Sequence, residues 1–563
     1  MAEVDSITAE LMANGAPFEV IDLVLNGTDQ RVFKNAPDNL NGLIDTARAH
    51  GEKEFVIHNE RRLSYTDFID EAEHLAAWLV REGQVQPGQS VALVMRNSIE
   101  WLQSFVAIIR AGGVAVLVNS RNEPENLKSA LDDTDCRFMF CDAKRYDALR
   151  SVGCDLPALV SEPCAGQMQI CDAIAAKMPY EAVHVDSDAP ACMFFTSGTT
   201  GRAKAAVVSH RSLITGTMNT QLAMAESFAK IAKTYNITVE ELKKHIPQSC
   251  SLLVFPLFHT AGCSAVFLTG LATGAKLVMM DRWDANGAIE LIAREKITNF
   301  GGVPAMHWDM LNALKTRDDD LSSIASLSCG GQAFPLSLIE ALRAQFPSAV
   351  LGMGYGMTET CGAVSQANGD VFLQFPRSSG QILPMVNVRI VGEQGEDMDT
   401  AQAGEVWVRG ATVMMGYYGR PEETAASFTD GWLRTGDIGY IDENGFLYIV
   451  DRKTDMIISG GENIYCAEVE QALSKHPLTK QVVTFGMPDE RMGERLVACV
   501  EALDDTLGRE DILSFARETL ADYKVPSDVL IVTEALERNA MGKVEKHKLR
   551  DKYQSYFTRE ENA

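Results

Sequence analysis

At 563 residues the chain exceeds the roughly 150 residues of one ordinary domain. It can bury a large core without metal or disulfide staples. A net charge of −26 argues against nucleic acid or an anionic membrane surface as the main partner. A local cradle of N–H groups and cations can still hold phosphate inside an acidic protein. The twelve cysteines are scattered and form no CxxC pair, which reads as reduced, mostly buried thiols of a cytoplasmic protein and speaks against zinc. The N-terminus MAEVDSITAELMANGAPFEV has early acids and no long apolar run. No signal peptide and no integral membrane segment is therefore expected.

Short apolar runs alternate with helical patterns. Val91–Met95 reads as a buried strand, Ile99–Arg110 as a helix, Val114–Val118 and Arg137–Cys141 as further strands. The rhythm returns at Ser251–Phe255, Lys276–Met280 and Val350–Gly352. Such alternation implies βαβ units and a largely parallel sheet. Between these runs, Ile231, Tyr235, Val239 and Leu242 fall at helical spacing in the stretch Leu222–Gln248, which predicts helical packing over the large domain or a lid for a substrate pocket. After about residue 380 the valine- and glycine-rich runs Val386–Val391, Gly404–Arg409 and Phe446–Val450 predict a β-rich region. The last stretch predicts a compact α+β unit: a helix at Ala467–Lys475, strands at Gln481–Gly486 and Leu496–Glu501, a helix at Glu510–Leu520 and a strand at Asp528–Val532. The expected fold class is α/β, with doubly wound sheets and a β-rich subdomain over residues 1–451 and a small mobile α+β domain over 452–563.

Four segments carry the chemistry. In Phe194-Phe-Thr-Ser-Gly-Thr-Thr-Gly-Arg-Ala-Lys204, glycines let a loop turn several N–H groups toward one anion. Hydroxyls add donors and Lys204 adds charge, as a polyphosphate requires. The spacing is not that of a Walker loop. In Gly354-Tyr-Gly-Met-Thr-Glu-Thr360, an aromatic between glycines can stack on a purine, and a Thr–Glu pair can contact phosphate and Mg²⁺. Thr435-Gly-Asp437, followed by Arg452, offers a carboxylate and an arginine for ribose hydroxyls. Asn539-Ala-Met-Gly-Lys543 presents a lysine near the C-terminus.

Taken in order, these segments resemble the adenylate-forming superfamily: acyl-CoA synthetases, adenylation domains of peptide synthetases and firefly-type luciferases. Phe255-Pro-Leu-Phe-His259 and Asp451–Ile464 resemble family motifs too, and the likeness runs from about Leu63 to Lys543. The resemblance implies that Thr196, Ser197, Gly198, Thr199, Thr200, Gly201 and Lys204 hold the β,γ-phosphates of ATP. It implies that Tyr355 and Gly356 receive adenine beside Gly330, Gly331, Gln332 and Ala333. Thr358 would contact the α-phosphate, Glu359 would bind Mg²⁺, and Asp437 and Arg452 would hold the ribose. Lys543 would bridge the acid carboxylate and the α-phosphate. After rotation about Thr454, Gly460 and Gly461 would line the pantetheine tunnel of CoA. His259 would stand at the acyl pocket as a gate or contact residue.

The sequence departs from the family at Ala203 and Ala205, where a proline and a glycine are usual, at Thr454 in the hinge, and at Arg538–Met541 before Gly542-Lys543. The reading that follows is an ATP-dependent acid–CoA ligase acting on a hydrophobic acid of fatty, aryl or steroid type. The alternatives are a stand-alone adenylation enzyme loading a carrier protein and a luciferase-like oxygenase. The expected partners are the small-molecule acid, ATP and CoA, and a homodimer is left open.

Overall fold

A computed structural model of the chain describes residues 6–25, 27–196, 203–331, 334–460, 462–489, 491–538 and 544–557. The first of its large sheets has seven strands. Ser90–Val94, Val114–Leu117, Phe138–Cys141, Ala158–Val160 and Pro190–Thr196 run parallel. Lys204–Ser209 and Gly416–Tyr417 then close one edge antiparallel. The central strands are buried at every position, which explains why they read as unbroken apolar runs. The helix Ile99–Arg110 joins two of them and starts where the Ser98 hydroxyl accepts the Trp101 N–H at 3.1 Å.

The second sheet has fourteen strands. Its parallel half contains Glu54–His58, Lys276–Met279, Cys250–Leu253, Asn299–Gly302, Ser326–Gly330 and Val350–Met357. At Gly362–Asn368 the direction reverses, and the sheet continues antiparallel through Gly380–Ile382, Phe446–Arg452, Trp432–Ile441, Gly404–Gly410 and Val386–Val391. The β-rich region is thus hydrogen-bonded edge-on to the parallel sheet while keeping a core of its own, with Val364, Val386, Val406, Val408 and Leu447 inside.

Five further strands form the C-terminal sheet, beginning at Ile457–Ser459 and including Thr479–Asp489, Gly493–Ala502 and Asp528–Val532. The helices Cys466–Leu473, Arg509–Thr519 and Lys546–Phe557 accompany them. None of the twelve cysteines forms a disulfide. Among the described residues no helix is long and apolar enough to cross a membrane.

The stretch after Leu222 corrects one expectation. The helix His210–Tyr235 stops at Asn236, whose left-handed conformation (φ 52°) caps it, and a separate helix Val239–His245 follows. The spacing of Ile231, Tyr235, Val239 and Leu242 therefore spans two helices, not one. Nor does the arm pack down: Ile231 is 39% and Tyr235 72% exposed.

Candidate functional site

The strands Pro190–Thr196 and Lys204–Ser209 pair so that Lys204 lies opposite Thr196. Both ends of the phosphate-loop segment are thereby fixed at one sheet edge; Ser197, Gly198, Thr199, Thr200 and Gly201 lie outside the described residues. The Lys204 ammonium sits 5.0 Å from the centre of the Tyr417 ring, a cation–π contact. The Tyr417 hydroxyl donates to Glu359 Oε1 at 2.8 Å. One tyrosine thus ties the loop lysine to the carboxylate expected to meet the metal.

Glu359 belongs to a single 3-10 turn, Thr358–Thr360, between the two strands where the sheet reverses. Thr358 and Glu359 are buried at 8% and 7% exposure. Burial raises the Glu359 carboxyl above the usual range, opposed by the Tyr417 hydrogen bond. Gly356 has no room for a side chain: an added Cβ would stand 1.9 Å from the Gly362 carbonyl oxygen. The same position that the sequence assigns to nucleotide contact is thus required by the close approach of two strands.

Tyr355 donates its hydroxyl to Asp437 Oδ2 at 2.6 Å. Asp437 pairs with Arg452 across adjacent strands, with Nε 3.2 Å from Oδ1. Asp437 is almost fully buried while Arg452 is half exposed, at 6% and 49% of the side chain. Burial, and next the Asp437 charge, push the Tyr355 phenol well above its usual range, so it stays a neutral donor. Both Arg452 and Asp437 also act electrostatically on Glu359. The two chains, Lys204–Tyr417–Glu359 and Tyr355–Asp437–Arg452, therefore converge.

His259 is half-buried, and its Nδ1 accepts the Ala261 N–H at 3.2 Å. It opens a π-helical segment, Ala261–Leu268, a wide turn that often marks functional sites. Gly330 ends the strand Ser326–Gly330 and Gly331 (φ 79°) turns the chain after it; Gln332 and Ala333 lie outside the described residues.

In the C-terminal unit, Gly460 (φ 59°) donates to the Met492 carbonyl at 2.8 Å, so it is tied to its own sheet. Gly461 and Lys543 lie outside the described residues. Just after Lys543, Val544 bridges to Arg538, and Lys546 pairs with Glu470 at 2.9 Å. Arg452 and Lys453 remain bound to the larger unit, Lys453 donating to the Gly436 carbonyl at 2.8 Å.

The sequence reading missed two features. Tyr417 is one. The other is a cavity of about 400 Å³ lined by Arg96, Arg121, Arg282, Phe258 and Trp283, with one acid, Asp281, among them. Burial, and next the charges of Arg96 and Arg145, lower the Arg121 pKa, as expected where cations gather around a space suited to anions. Single arginines far apart in sequence carry no motif that could have announced it.

The family model of AMP-binding enzymes matches residues 43–418, and that of the AMP-binding enzyme C-terminal domain matches 468–543. A (methyl-dioxo-octahydro-indenyl)propanoyl:CoA ligase of Rhodococcus jostii is 33% identical, over 90% of this chain and 96% of its own length. A feruloyl-CoA synthase of Amycolatopsis is 31% identical, over 91% and 98%. Among solved structures, the o-succinylbenzoate coenzyme A synthetase of Bacillus subtilis in complex with ATP and magnesium superposes with a TM-score of 0.74 at 26% identity, over 90% and 99% of the two chains. The chain belongs to the AMP-binding enzyme family, in its adenylate-forming acyl-CoA synthetase branch.

Proposed function

We propose that the protein activates a hydrophobic carboxylic acid with ATP and passes the acyl group to CoA. The observation that carries this reading is the convergence of the Lys204–Tyr417–Glu359 and Tyr355–Asp437–Arg452 chains. A cation, a buried carboxylate, an aromatic ring and a carboxylate–arginine pair, joined by the electrostatic reach of Arg452 and Asp437 to Glu359, support a nucleotide site.

In the first step the acid carboxylate attacks the α-phosphorus of ATP and pyrophosphate leaves, giving an acyl-adenylate. Two anions must be aligned and their repulsion offset, which is positioning and electrostatics more than covalent chemistry. Lys204 and its loop hold the β,γ-phosphates. Tyr355 and the turn at Gly356 receive the adenine beside Gly330 and Gly331. Asp437 and Arg452 hold the ribose, Thr358 meets the α-phosphate, and Lys543 bridges carboxylate and phosphate. Glu359 suits Mg²⁺: it is a buried carboxylate held by a phenol and not by a cation. Among the described residues no group of three or more His, Cys, Asp or Glu side chains could cage an ion alone, so phosphate oxygens would complete the shell, as is usual for this ion. Mg²⁺, when bound, neutralises charge between those oxygens.

In the second step the CoA thiol attacks the acyl carbonyl and AMP leaves. Three arginines against one acid, Asp281, make the cavity a candidate for the phosphates of CoA, since guanidinium groups offer planar, forked donors to them. Rotation of the C-terminal unit about Thr454 would withdraw Lys543 and bring Gly460 and Gly461 to the pantetheine arm. The acid itself is apolar over much of its surface, because Ala261, Gly262, Gly301, Gly302, Gly330, Gly362 and Ala363 bring no charge to the segments that the family resemblance assigns to the acyl pocket. Relatives named for an indenyl propanoyl, a feruloyl and a long-chain fatty acyl group keep ring-bearing and fatty acids alike within the reading.

The test is pyrophosphate release with ATP and Mg²⁺ over a panel of acids, with and without CoA. CoA-dependent turnover of an apolar acid is expected. Pyrophosphate from amino acids alone, indifferent to CoA, would overturn the thioester half. Lys543→Ala should slow adenylate formation by about 10²–10³-fold, while thiolysis of supplied acyl-adenylate stays within about twofold of wild type.

A further inference from the structure

We infer that Asn219 reads a hydrogen-bonding group on the body of the acid, so that the substrate bears a carbonyl or hydroxyl away from its carboxylate and is not a plain hydrocarbon chain. This deepens the ligase reading and rests on it.

The Asn219 side chain is 1% exposed, and neither its Oδ1 nor its Nδ2 has a hydrogen-bond partner. Other buried amides are at least half satisfied. Asn41 donates from Nδ2 to the Val183 carbonyl, and Gln103 donates from Nε2 to Glu71. Among the described residues Asn219 alone is a buried amide with both ends vacant. A buried amide stranded at both ends is destabilising, so a partner that arrives later is the economical explanation.

Its place in the fold says what that partner is. At about 3.6 residues per turn, Ser212, Gly216 and Asn219 share one face of the helix His210–Tyr235. Ser212 donates to the Val413 carbonyl at 3.3 Å. A Cβ added at Gly216 would lie 3.4 Å from the Cys361 carbonyl oxygen and 3.9 Å from Ser264 Oγ. Cys361 leads directly into Gly362 and Ala363, and Ser264 lies in the π-helical segment that His259 opens. By this periodicity Asn219 lies on the face that meets Cys361 and the π-helical segment, the two stretches that the ligase reading assigns to the acyl side. The helix is embedded in an apolar core that includes Met218, Leu222, Cys263 and Phe267. A lone amide in such a wall offers one acceptor and a pair of donors. A ketone can accept from Nδ2, and a hydroxyl can use either end. A hydrocarbon leaves both ends stranded and is rejected on that account.

The experiment compares matched acids in CoA-dependent pyrophosphate release: cyclohexylpropanoate against its ring-ketone analogue, and cinnamate against its ring-hydroxy analogue. Wild type should prefer the oxygenated member of a pair by at least tenfold in kcat/KM. Asn219→Leu, close in volume but apolar, should cut kcat/KM for that member by about 10–100-fold and leave or raise that for the hydrocarbon. Equal loss on both members, or wild-type indifference between them, would overturn the inference while leaving CoA-dependent turnover, and hence the ligase reading, intact. A more stable Asn219→Leu with unchanged selectivity would mark the amide as a buried water site and overturn it too. Loss of CoA dependence with every acid would instead bring down the ligase reading and this inference with it. Because wild-type preference is read without any variant, a poorly folding Asn219→Leu does not shield the inference.

Discussion

Tyr417 makes two contacts through two different parts of one side chain. Its ring faces the Lys204 ammonium and its hydroxyl holds Glu359. Phenylalanine keeps the first and deletes the second. A hydrogen bond to a charged group is worth about 1.5–3 kcal/mol, and part of that is recovered by water. Tyr417→Phe should therefore raise the Mg²⁺ concentration for half-maximal pyrophosphate release by about tenfold and change the rate at saturating Mg²⁺ little. Titration of the initial rate against Mg²⁺ checks it, and an unchanged half-saturation would separate Tyr417 from metal handling. Residues of this kind are hard to find in a sequence. The glycine- and threonine-rich loop before Lys204 announces itself by composition, whereas Tyr417 sits in a two-residue edge strand with no motif around it. Asp437 and Arg452 were legible as types, but their pairing came from a strand register no motif encodes.

At the scale of elements, the strands most easily read were those buried on both faces. Their ends moved by a residue or two, whereas the strand read as Val350–Gly352 runs on to Met357; Asp528–Val532 and Val386–Val391, only partly buried, stand as read. The π-helix Ala261–Leu268 was not legible, because its sequence AGCSAVFL is apolar all round and carries no period. What sets it is a contact: a Cβ on Gly262 would stand 2.3 Å from the Pro256 carbonyl oxygen. Gly262→Ala must move that backbone, with a cost of about 1–3 kcal/mol. Thermal unfolding should fall accordingly, and acid selectivity should shift because the segment borders His259. Full retention of both would show that the segment yields freely. The arm after Leu222 behaves oppositely. Its spacing suggested a packed helix, yet the αL residue Asn236 divides it and leaves Ile231 and Tyr235 exposed. Ile231→Ser with Tyr235→Ser should change stability by no more than about 0.5 kcal/mol in thermal denaturation. A larger loss would mean the arm packs after all.

For the molecule as a whole, the smaller unit is held to the larger one partly through a buried carboxyl group. Asp451, on the last strand of the larger sheet, accepts the Arg452 N–H at 2.8 Å and the N–H of Cys466, the first residue of the helix Cys466–Leu473. The Lys546–Glu470 pair lies close by, and burial lifts the Asp451 carboxyl to about 6 against the attraction of Lys546. Between the unfolded value near 4 and about 6, the native state holds more protons than the unfolded one. Stability from this group is therefore fully present below about pH 4 and is lost as pH rises through the native value. The shift amounts to about 3 kcal/mol. Hydrogen exchange reports it locally: protection of the helix Cys466–Leu473, corrected for intrinsic rates, should weaken between about pH 4 and pH 6 and then level off. Asp451→Asn carries no charge at any of these pH values, so its profile should be flat over the same window. A variant that kept the wild-type slope would move the titration to another group. It would also leave the attachment of the smaller unit to packing alone, with no proton-linked contact at the junction where Arg452 and Lys453 give way to Thr454.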